Sequence, residues 1–290
     1  MVTEDKMLAK IIKLTMLISL TLVLAGCTYQ RSISNNQKVQ VPASPTLNSD
    51  IKPSHNLPST SNDTNAEKFP PEVPVLYYHS IMQEANNEIR MPPEQFEEQI
   101  AYLSSHGYHS ITPTQLYESI YHNGVLPQKP FLLTFDDGYA DNYQTAFPIL
   151  KKYGYVATVF MISGCIGEKG FLTWPQLKEL SANGWDISDH TQNHSYLTKL
   201  APSPLLSELI NSKNTLEKGL GRSVDYFAYP YGDFNDKVVQ AVKKAGFRMA
   251  FTTLRGWADS HRDAYHVHRV FCYSNMGMKE FIRRIQHPNY

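Results

Sequence analysis

Cysteines and an excess of basic residues, which would indicate particular classes of protein, are scarce in this sequence. Only three cysteines occur in 290 residues, too few for a disulfide framework. The sequence is equally consistent with two buried free thiols at Cys165 and Cys272 and with one disulfide between them. Lysine plus arginine total 27, equal to aspartate plus glutamate, so the basic surplus of a nucleic-acid-binding protein is missing. An apolar fraction of 42% with no evident internal repeat is sufficient for a sizeable ordinary core.

A long apolar run is also missing. The N-terminal run, residues 14–24, covers about eleven residues, whereas a membrane-spanning helix needs ~20. Three lysines precede it and Leu-Ala-Gly-Cys follows it, which predicts a secretory signal peptide over residues 1–26. The last four residues resemble the bacterial lipoprotein cleavage box, with lipidation at Cys27. More than one acyl chain there would anchor the protein to the outer face of the cell membrane. An ordinary signal peptide with an incidental cysteine is the alternative.

Residues 27–71 are rich in serine, asparagine, proline and threonine and have few large apolar side chains. This composition is typical of a disordered tether, because it cannot bury enough apolar surface to fold. The sequence therefore predicts one folded domain over residues 72–290, held at a distance from the membrane.

Short apolar runs alternate with amphipathic stretches throughout that domain. Strands are predicted at residues 75–78, 108–111, 131–135, 156–161, 185–188, 226–229, 248–252 and 269–273. Helices are predicted at residues 93–106, from Thr112 onward, and at 142–153, 175–182, 205–220 and 236–245, several of them ending at a glycine. Repeated strand-then-helix units favour a parallel sheet, closed or nearly closed as an α/β barrel of seven or eight units. A doubly wound open sheet is the alternative.

One apolar run ends in two carboxylates. Phe131-Leu-Leu-Thr-Phe is followed by Asp136, Asp137 and Gly138, as expected for a buried strand that carries acids at its carboxyl end. Adjacent aspartates repel each other, so a partly buried pair needs a cation or a proton nearby. Helix capping by Asp-Asp-Gly is the structural alternative.

Other polar residues follow other predicted strands: His79, then His190 and His194, then Tyr231. Carboxyl ends of parallel strands lie on one rim, where functional groups gather. Two histidines at i and i+4 on a helical turn point the same way and can share one metal. With one carboxylate they form an open, catalytic type of site. Asp137 is the predicted third ligand and Asp136 the predicted free base.

These motifs carry a resemblance. Thr134-Phe-Asp-Asp-Gly, His190-Thr-x-x-His194 and Ala228-Tyr-Pro-Tyr-Gly resemble, in order, three motifs of the polysaccharide deacetylases of carbohydrate esterase family 4, the NodB-homology domain. The resemblance implies a distorted (β/α) barrel of seven or eight units. It implies zinc or cobalt at Asp137, His190 and His194, with Asp136 as base and the Tyr231 backbone N–H stabilising the oxyanion. It also implies hydrolysis of N-acetyl groups on an N-acetylglucosamine polymer.

The sequence departs from the family pattern in the third, fourth and fifth motifs. The arginine that usually orients the base is replaced by Ala228, and the fourth, Asp and Trp motif has no convincing counterpart. Two histidines remain candidates for the general acid. His268 fits by spacing the family's fifth motif, Leu-x-His, which supplies the usual general acid, although the chain reads Tyr-His-Val-His there. His79 follows the first strand, as in the branch that includes bacterial poly-N-acetylglucosamine deacetylases. We favour His79.

Two aromatic residues, Tyr231 and Trp174, are predicted to contact the sugar. The expected protein is a monomer that binds an N-acetylated polysaccharide, a membrane through its lipid and no nucleic acid. An O-acetyl esterase acting on a polymer such as xylan, and a glycan-binding surface lipoprotein without activity, are the alternatives.

Overall fold

The computed structural model describes residues 72–290. The predicted signal peptide (residues 1–26), the lipidation at Cys27 and the tether (residues 27–71) lie outside these described residues. Within the described part of the chain, no helix combines the length and the apolar character needed to cross a membrane.

In the described domain, eight strands form one sheet in which every pairing between strands is parallel. They are β1 (Val75–Tyr78), β2 (His109–Ile111), β3 (Pro130–Asp137), β4 (Thr158–Met161), β5 (Asp186–Asp189), β6 (Tyr226–Ala228), β7 (Met249–Arg255) and β8 (Val267–Phe271). Strand β1 pairs with both β3 and β8, which closes seven strands into a barrel, and β2 pairs with the first residues of β3. The predicted barrel is confirmed, and the open sheet is wrong.

Within residues 72–290, seven α-helices connect or follow these strands. They are α1 (Pro93–Ser105), α2 (Pro113–Tyr121), α3 (Phe147–Lys152), α4 (Trp174–Ala182), α5 (Pro202–Leu220), α6 (Asp236–Lys244) and α7 (Gly277–Gln286). Thr112 caps α2 through a capping box with Gln115, as its position before a proline predicted. The predicted helix 142–153 is instead a π-helical turn, Asn142–Ala146, followed by α3. Helix α7 was not predicted.

Alternate residues of β3 pack into two different apolar layers, one on each face of the sheet. Leu133 and Phe135 pack outward into the layer that the helices cover, whereas Leu132 packs with Phe160 and Phe251 in the barrel interior. Since alternate residues share a face, Thr134 and Asp136 follow Leu132 into the interior. The strand therefore buries a carboxylate at the end of the barrel core where the carboxyl ends of the strands lie, and Asp136 is only 3% exposed.

Cys165 and Cys272 are both free thiols. Cys272 is buried and Cys165 is partly exposed, so the alternative of a disulfide between them is not formed.

Candidate functional site

A cavity of about 420 Å³ lies past the carboxyl ends of the strands, as predicted for a barrel. Its size is within the range of pockets that bind small molecules. Five of the polar residues named from the sequence line it: His79, Asp136, Asp137, His190 and His194. Tyr231 also lines it, together with five other aromatic residues: Tyr77, Tyr139, Phe171, Tyr229 and Phe271.

The end of β3 places its two carboxylates differently. Asp137 has a left-handed backbone with φ 74°, which ends the regular alternation after Asp136, and Gly138 follows with φ 82°. A Cβ atom at Gly138 would lie 2.1 Å from the Met161 sulfur. The left-handed backbone angle favours glycine here, and any larger residue would also displace the Met161 side chain of β4. The tight turn carries Asp137 out of the barrel core and into the cavity.

The segment that carries the two histidines, residues 190–195, is a loop, which we call the histidine loop. The predicted helical turn is wrong: Thr191 and His194 have left-handed backbones, with φ values of 68° and 54°. The Thr191 N–H donates to Asp189 Oδ1 at 2.7 Å, and the His194 N–H donates to Thr191 Oγ1 at 2.9 Å. These local bonds, rather than a helical repeat, bring the two imidazoles together.

The three predicted metal ligands meet in the cavity. His190 Nε2 and His194 Nε2 are 3.2 Å apart and lie 3.5 and 3.3 Å from Asp137 Oδ1. His190 Nδ1 lies 2.8 Å from the Ala228 carbonyl oxygen, which can only accept, so Nδ1 carries the proton and Nε2 presents a lone pair. Among the described residues, this is the one group of three such side chains close enough to hold a metal ion.

The electrostatics of this group fit a cation. Burial lowers the pKa of His190 to about 3 and also lowers the pKa of His194, so both imidazoles are neutral, as ligands must be. Burial raises the pKa of Asp137, and Asp136 beside it adds to that rise. Asp137 Oδ1 is buried and has no hydrogen-bond donor among the described residues. A buried carboxylate oxygen without a donor, facing two imidazole nitrogens, is a donor set suited to a divalent metal ion.

Asp136 is held by an arginine that the sequence did not reveal. Arg269, on β8, donates to both carboxylate oxygens of Asp136, each at 2.8 Å, and is fully buried. Its Nε donates to the Thr252 carbonyl at 2.7 Å, and its guanidinium lies 4.3 Å from the Tyr77 ring centroid. Burial would raise the pKa of Asp136, but the Arg269 guanidinium lowers it to about 2. Arg269 therefore occupies the orienting position that Ala228 leaves open.

Of the two candidate general acids, His79 lines the cavity. Its carbonyl accepts from Asn142 Nδ2 at 2.8 Å, and its Nδ1 is buried without a hydrogen-bond partner among the described residues. Burial lowers the pKa of His79, and Asp136 and Asp137 oppose that change. His268 does not line this cavity; its Nδ1 lies 2.8 Å from the Arg255 carbonyl oxygen, and the residue is partly exposed.

The two predicted sugar contacts lie in different places. Tyr231 lines the cavity mouth with 53% of its surface exposed, and its ring lies 4.3 Å from that of His194 and 4.0 Å from that of Tyr196. Trp174 begins α4 and packs closely on Gly219 of α5. It lies outside the cavity lining, in the apolar layer between helices and sheet.

Comparisons with known proteins agree with this geometry. The family model described as polysaccharide deacetylase matches residues 123–250. The YxkH protein of Bacillus subtilis strain 168 is 38% identical over 212 residues, which cover 72% of this chain and 75% of that protein. A poly-beta-1,6-N-acetyl-D-glucosamine N-deacetylase of Staphylococcus aureus strain MSSA476 is 31% identical over 225 residues, or 72% of this chain and 76% of that one. This chain belongs to the polysaccharide deacetylase family.

A solved structure supports the same family. The Streptococcus pyogenes deacetylase PplD, in complex with acetate, superposes with a TM-score of 0.71 and 30% identity, covering 75% of this chain and 99% of that one. The predicted family, barrel fold and hydrolase class are thereby confirmed for this polysaccharide deacetylase.

Arg269 had one signal in the sequence of this deacetylase. It occupies an inward position of a short apolar strand, between Val267 and Phe271, where an arginine must find a carboxylate. Its partner lies 133 residues earlier in the chain, so the pairing becomes visible only when the barrel closes.

Proposed function

We propose that this polysaccharide deacetylase removes N-acetyl groups, with the aid of a divalent metal, from an N-acetylglucosamine-containing cell-wall or extracellular polysaccharide. The observation that carries the proposal is the convergence, in one cavity, of an Asp137, His190 and His194 ligand set with an Asp136 carboxylate fixed by Arg269. The Staphylococcus aureus relative, named as acting on a poly-N-acetylglucosamine, supports the substrate class.

Asp137, His190 and His194 would hold the metal, zinc or cobalt. When bound, such a cation polarises the acetamide carbonyl and makes the attacking water more acidic. That contribution matters because Asp136, with a pKa of about 2, is a weak base. The two-point contact with Arg269 keeps Asp136 ionised and fixes its orientation, so the form that accepts a proton is always present at neutral pH.

The remaining roles follow from the cavity wall. Asp136 takes the proton of the attacking water while the oxygen of that water adds to the acetamide carbonyl carbon. The backbone N–H of Tyr231, held in a left-handed conformation at φ 60°, stabilises the resulting oxyanion. His79, in its protonated form, then donates a proton to the leaving nitrogen as the carbon–nitrogen bond breaks, and Asp136 returns the proton it took to solvent as the products leave. Acetate and a free amine are released. Tyr231 also contacts the sugar at the cavity mouth.

The location of this activity is part of the proposal. The signal peptide over residues 1–26 and the lipidated Cys27 would place the domain outside the cell, on a membrane anchor. Residues 27–71 would then let it reach the polysaccharide. Retention in the membrane fraction of wild type, and its loss in Cys27→Ala, would test the anchor.

Acetate release tests the activity. The substrates are acetylated chito-oligosaccharides, a poly-N-acetylglucosamine, peptidoglycan and acetylxylan, each with and without a chelator. We expect release from an N-acetylglucosamine polymer, its loss with chelator and its recovery with Zn²⁺ or Co²⁺. Release from acetylxylan alone would instead indicate an O-acetyl esterase, and binding without release would indicate a glycan-binding protein. Asp136→Asn should bind the metal and be inactive; an undiminished rate would disprove the base assignment.

A further inference from the structure

We propose that Glu208 is a positioning residue for the candidate metal site, because its buried carboxylate fixes the part of the histidine loop that carries His194 and thereby sets the affinity for the divalent cation. This inference rests on the proposed function, since it takes Asp137, His190 and His194 as the ligands.

Glu208 is an acid on the apolar face of a helix. The buried residues of α5 are Leu205, Glu208, Leu209, Ser212 and Leu216, a spacing that turns this face toward the barrel. Glu208 is only 8% exposed. A buried carboxylate is costly unless strong donors surround it, so its position needs an explanation.

The donors come from the histidine loop. Glu208 Oε1 accepts from the backbone N–H of Asn193 at 2.6 Å, and Oε2 accepts from the side-chain amide of Asn193 at 2.8 Å. The Ser195 hydroxyl lies 3.5 Å from Oε1. Both carboxylate oxygens are thus directed at the residues on either side of His194. Hydrogen bonds to a charged acceptor are stronger than those between neutral groups.

The loop needs support from this side. Its first half is held by the turn after β4, where the Ser163 N–H donates to the Thr191 carbonyl at 3.0 Å and the Gly164 N–H donates to the Gln192 carbonyl at 2.9 Å. Glu208 holds the residues that follow. His194 itself adopts an unfavourable left-handed backbone, which persists only where its surroundings impose it. The bond from the His194 N–H to Thr191 Oγ1 supplies part of that constraint, and the Glu208 carboxylate, which clamps the adjacent Asn193, adds to it.

Supporting side chains of this kind are expected to change metal affinity. Outer groups that orient metal ligands typically alter affinity by about 10–100-fold when they are removed. Glu208 touches none of the three ligand side chains, so its effect should act through the position of His194. A purely structural role would lower the stability of the fold and leave the affinity of the folded protein unchanged.

The test measures binding of Co²⁺ and of Zn²⁺ alone to full-length protein stripped with a chelator, by competition with a chromophoric chelator. Circular dichroism verifies folding. We expect Glu208→Leu to bind both cations about 10–100-fold more weakly and to show an altered Co²⁺ absorption band. Glu208→Gln should stay within about 3-fold of wild type, because glutamine keeps the acceptor for the Asn193 N–H and can pair with a rotated Asn193 amide.

The matched control is Glu98→Leu, an exposed acid on α1, which should bind like wild type. Asn193→Ala removes one of the two hydrogen bonds to Glu208 at an exposed position, and it should weaken cation binding by up to about 10-fold. This variant tests the inference even if Glu208→Leu fails to fold. Wild-type affinity and spectrum in folded Glu208→Leu, or in Asn193→Ala where Glu208→Leu does not fold, would overturn the inference. Wild-type protein that binds no cation would instead refute the proposed function, before any variant is compared.

Discussion

Replacing Arg269 by methionine should strongly destabilise this deacetylase at neutral pH. The interval between the ordinary carboxyl pKa of 3.8 and the value of about 2 at Asp136 corresponds to about 2.5 kcal/mol, at 1.36 kcal/mol per pH unit. Arg269→Met removes this stabilisation and leaves the buried carboxylate unpaired. Loss of one partner of a buried ion pair costs about 3–5 kcal/mol, and we expect a loss of that size.

The pH dependence identifies the cause. In wild type the folded pKa of Asp136 lies below the unfolded value, so its contribution is present above about pH 4 and is lost as the pH falls toward 2. Without Arg269, burial is the largest influence left on Asp136 and raises its pKa, against a smaller opposing effect of His190 and His79, so the carboxyl is protonated more readily as the pH falls. The stability difference between Arg269→Met and wild type should therefore shrink between pH 7 and pH 4.

The assay is urea unfolding at both pH values for wild type, Arg269→Met, Asp136→Asn and the double variant. The double variant removes both charges, so it should be more stable than either single variant, although it should be inactive. Two results would refute this explanation: a loss below about 1 kcal/mol that is the same at pH 7 and pH 4, or a double variant no more stable than Arg269→Met.

Three further predictions concern other residues. Gly138→Ala should destabilise the fold by about 1–3 kcal/mol and weaken metal binding, because the φ of Gly138 is 82° and a Cβ atom would meet Met161. An unchanged free energy of unfolding and an unchanged affinity for the cation would contradict this. Tyr231→Ala should raise KM for an N-acetylglucosamine oligomer more than it lowers kcat, whereas Trp174→Phe should lower Tm and leave KM unchanged. Asp189→Asn should flatten the pH dependence of stability. Burial raises the pKa of Asp189 from 3.8 to about 7, so the free energy of unfolding of wild type falls by up to about 1.4 kcal/mol per pH unit as the pH rises from 4 to 7. Equal slopes of this free energy against pH in wild type and variant, measured by urea unfolding, would show that Asp189 is not responsible.

The barrel and the positions of the ligand set were accessible from the sequence because they depend on local patterns. Apolar runs bounded by glycine and proline predicted each strand within a few residues. In a parallel sheet the carboxyl ends of all strands lie on one side, however far apart the strands are in the sequence. Asp137 and His190 came together for this reason. The histidine loop combines local bonds with tertiary bonds from the turn after β4 and from Glu208, and Asn142 of the π-helical turn donates to the distant His79 carbonyl. No local sequence pattern records the tertiary bonds.

The two long-range polar contacts escaped prediction for a related reason. Arg269 and Asp136 are separated by most of the domain, and Glu208 reads as an ordinary helical acid until its neighbours on the apolar face are known. Both are buried charges whose partners lie on other elements. Such residues are recognisable in a sequence as polar interruptions of an apolar face, but the identity of the partner requires the fold.

Metal content and acetate release, measured together on three proteins, test the central claim most directly. Wild type should hold one divalent cation per chain and deacetylate an N-acetylglucosamine oligomer. His194→Ala should hold little or no metal and be inactive, and Asp136→Asn should hold one cation and be inactive. One cation per chain in His194→Ala, or activity in Asp136→Asn, would contradict the division of the site into a metal-holding triad and a separate base.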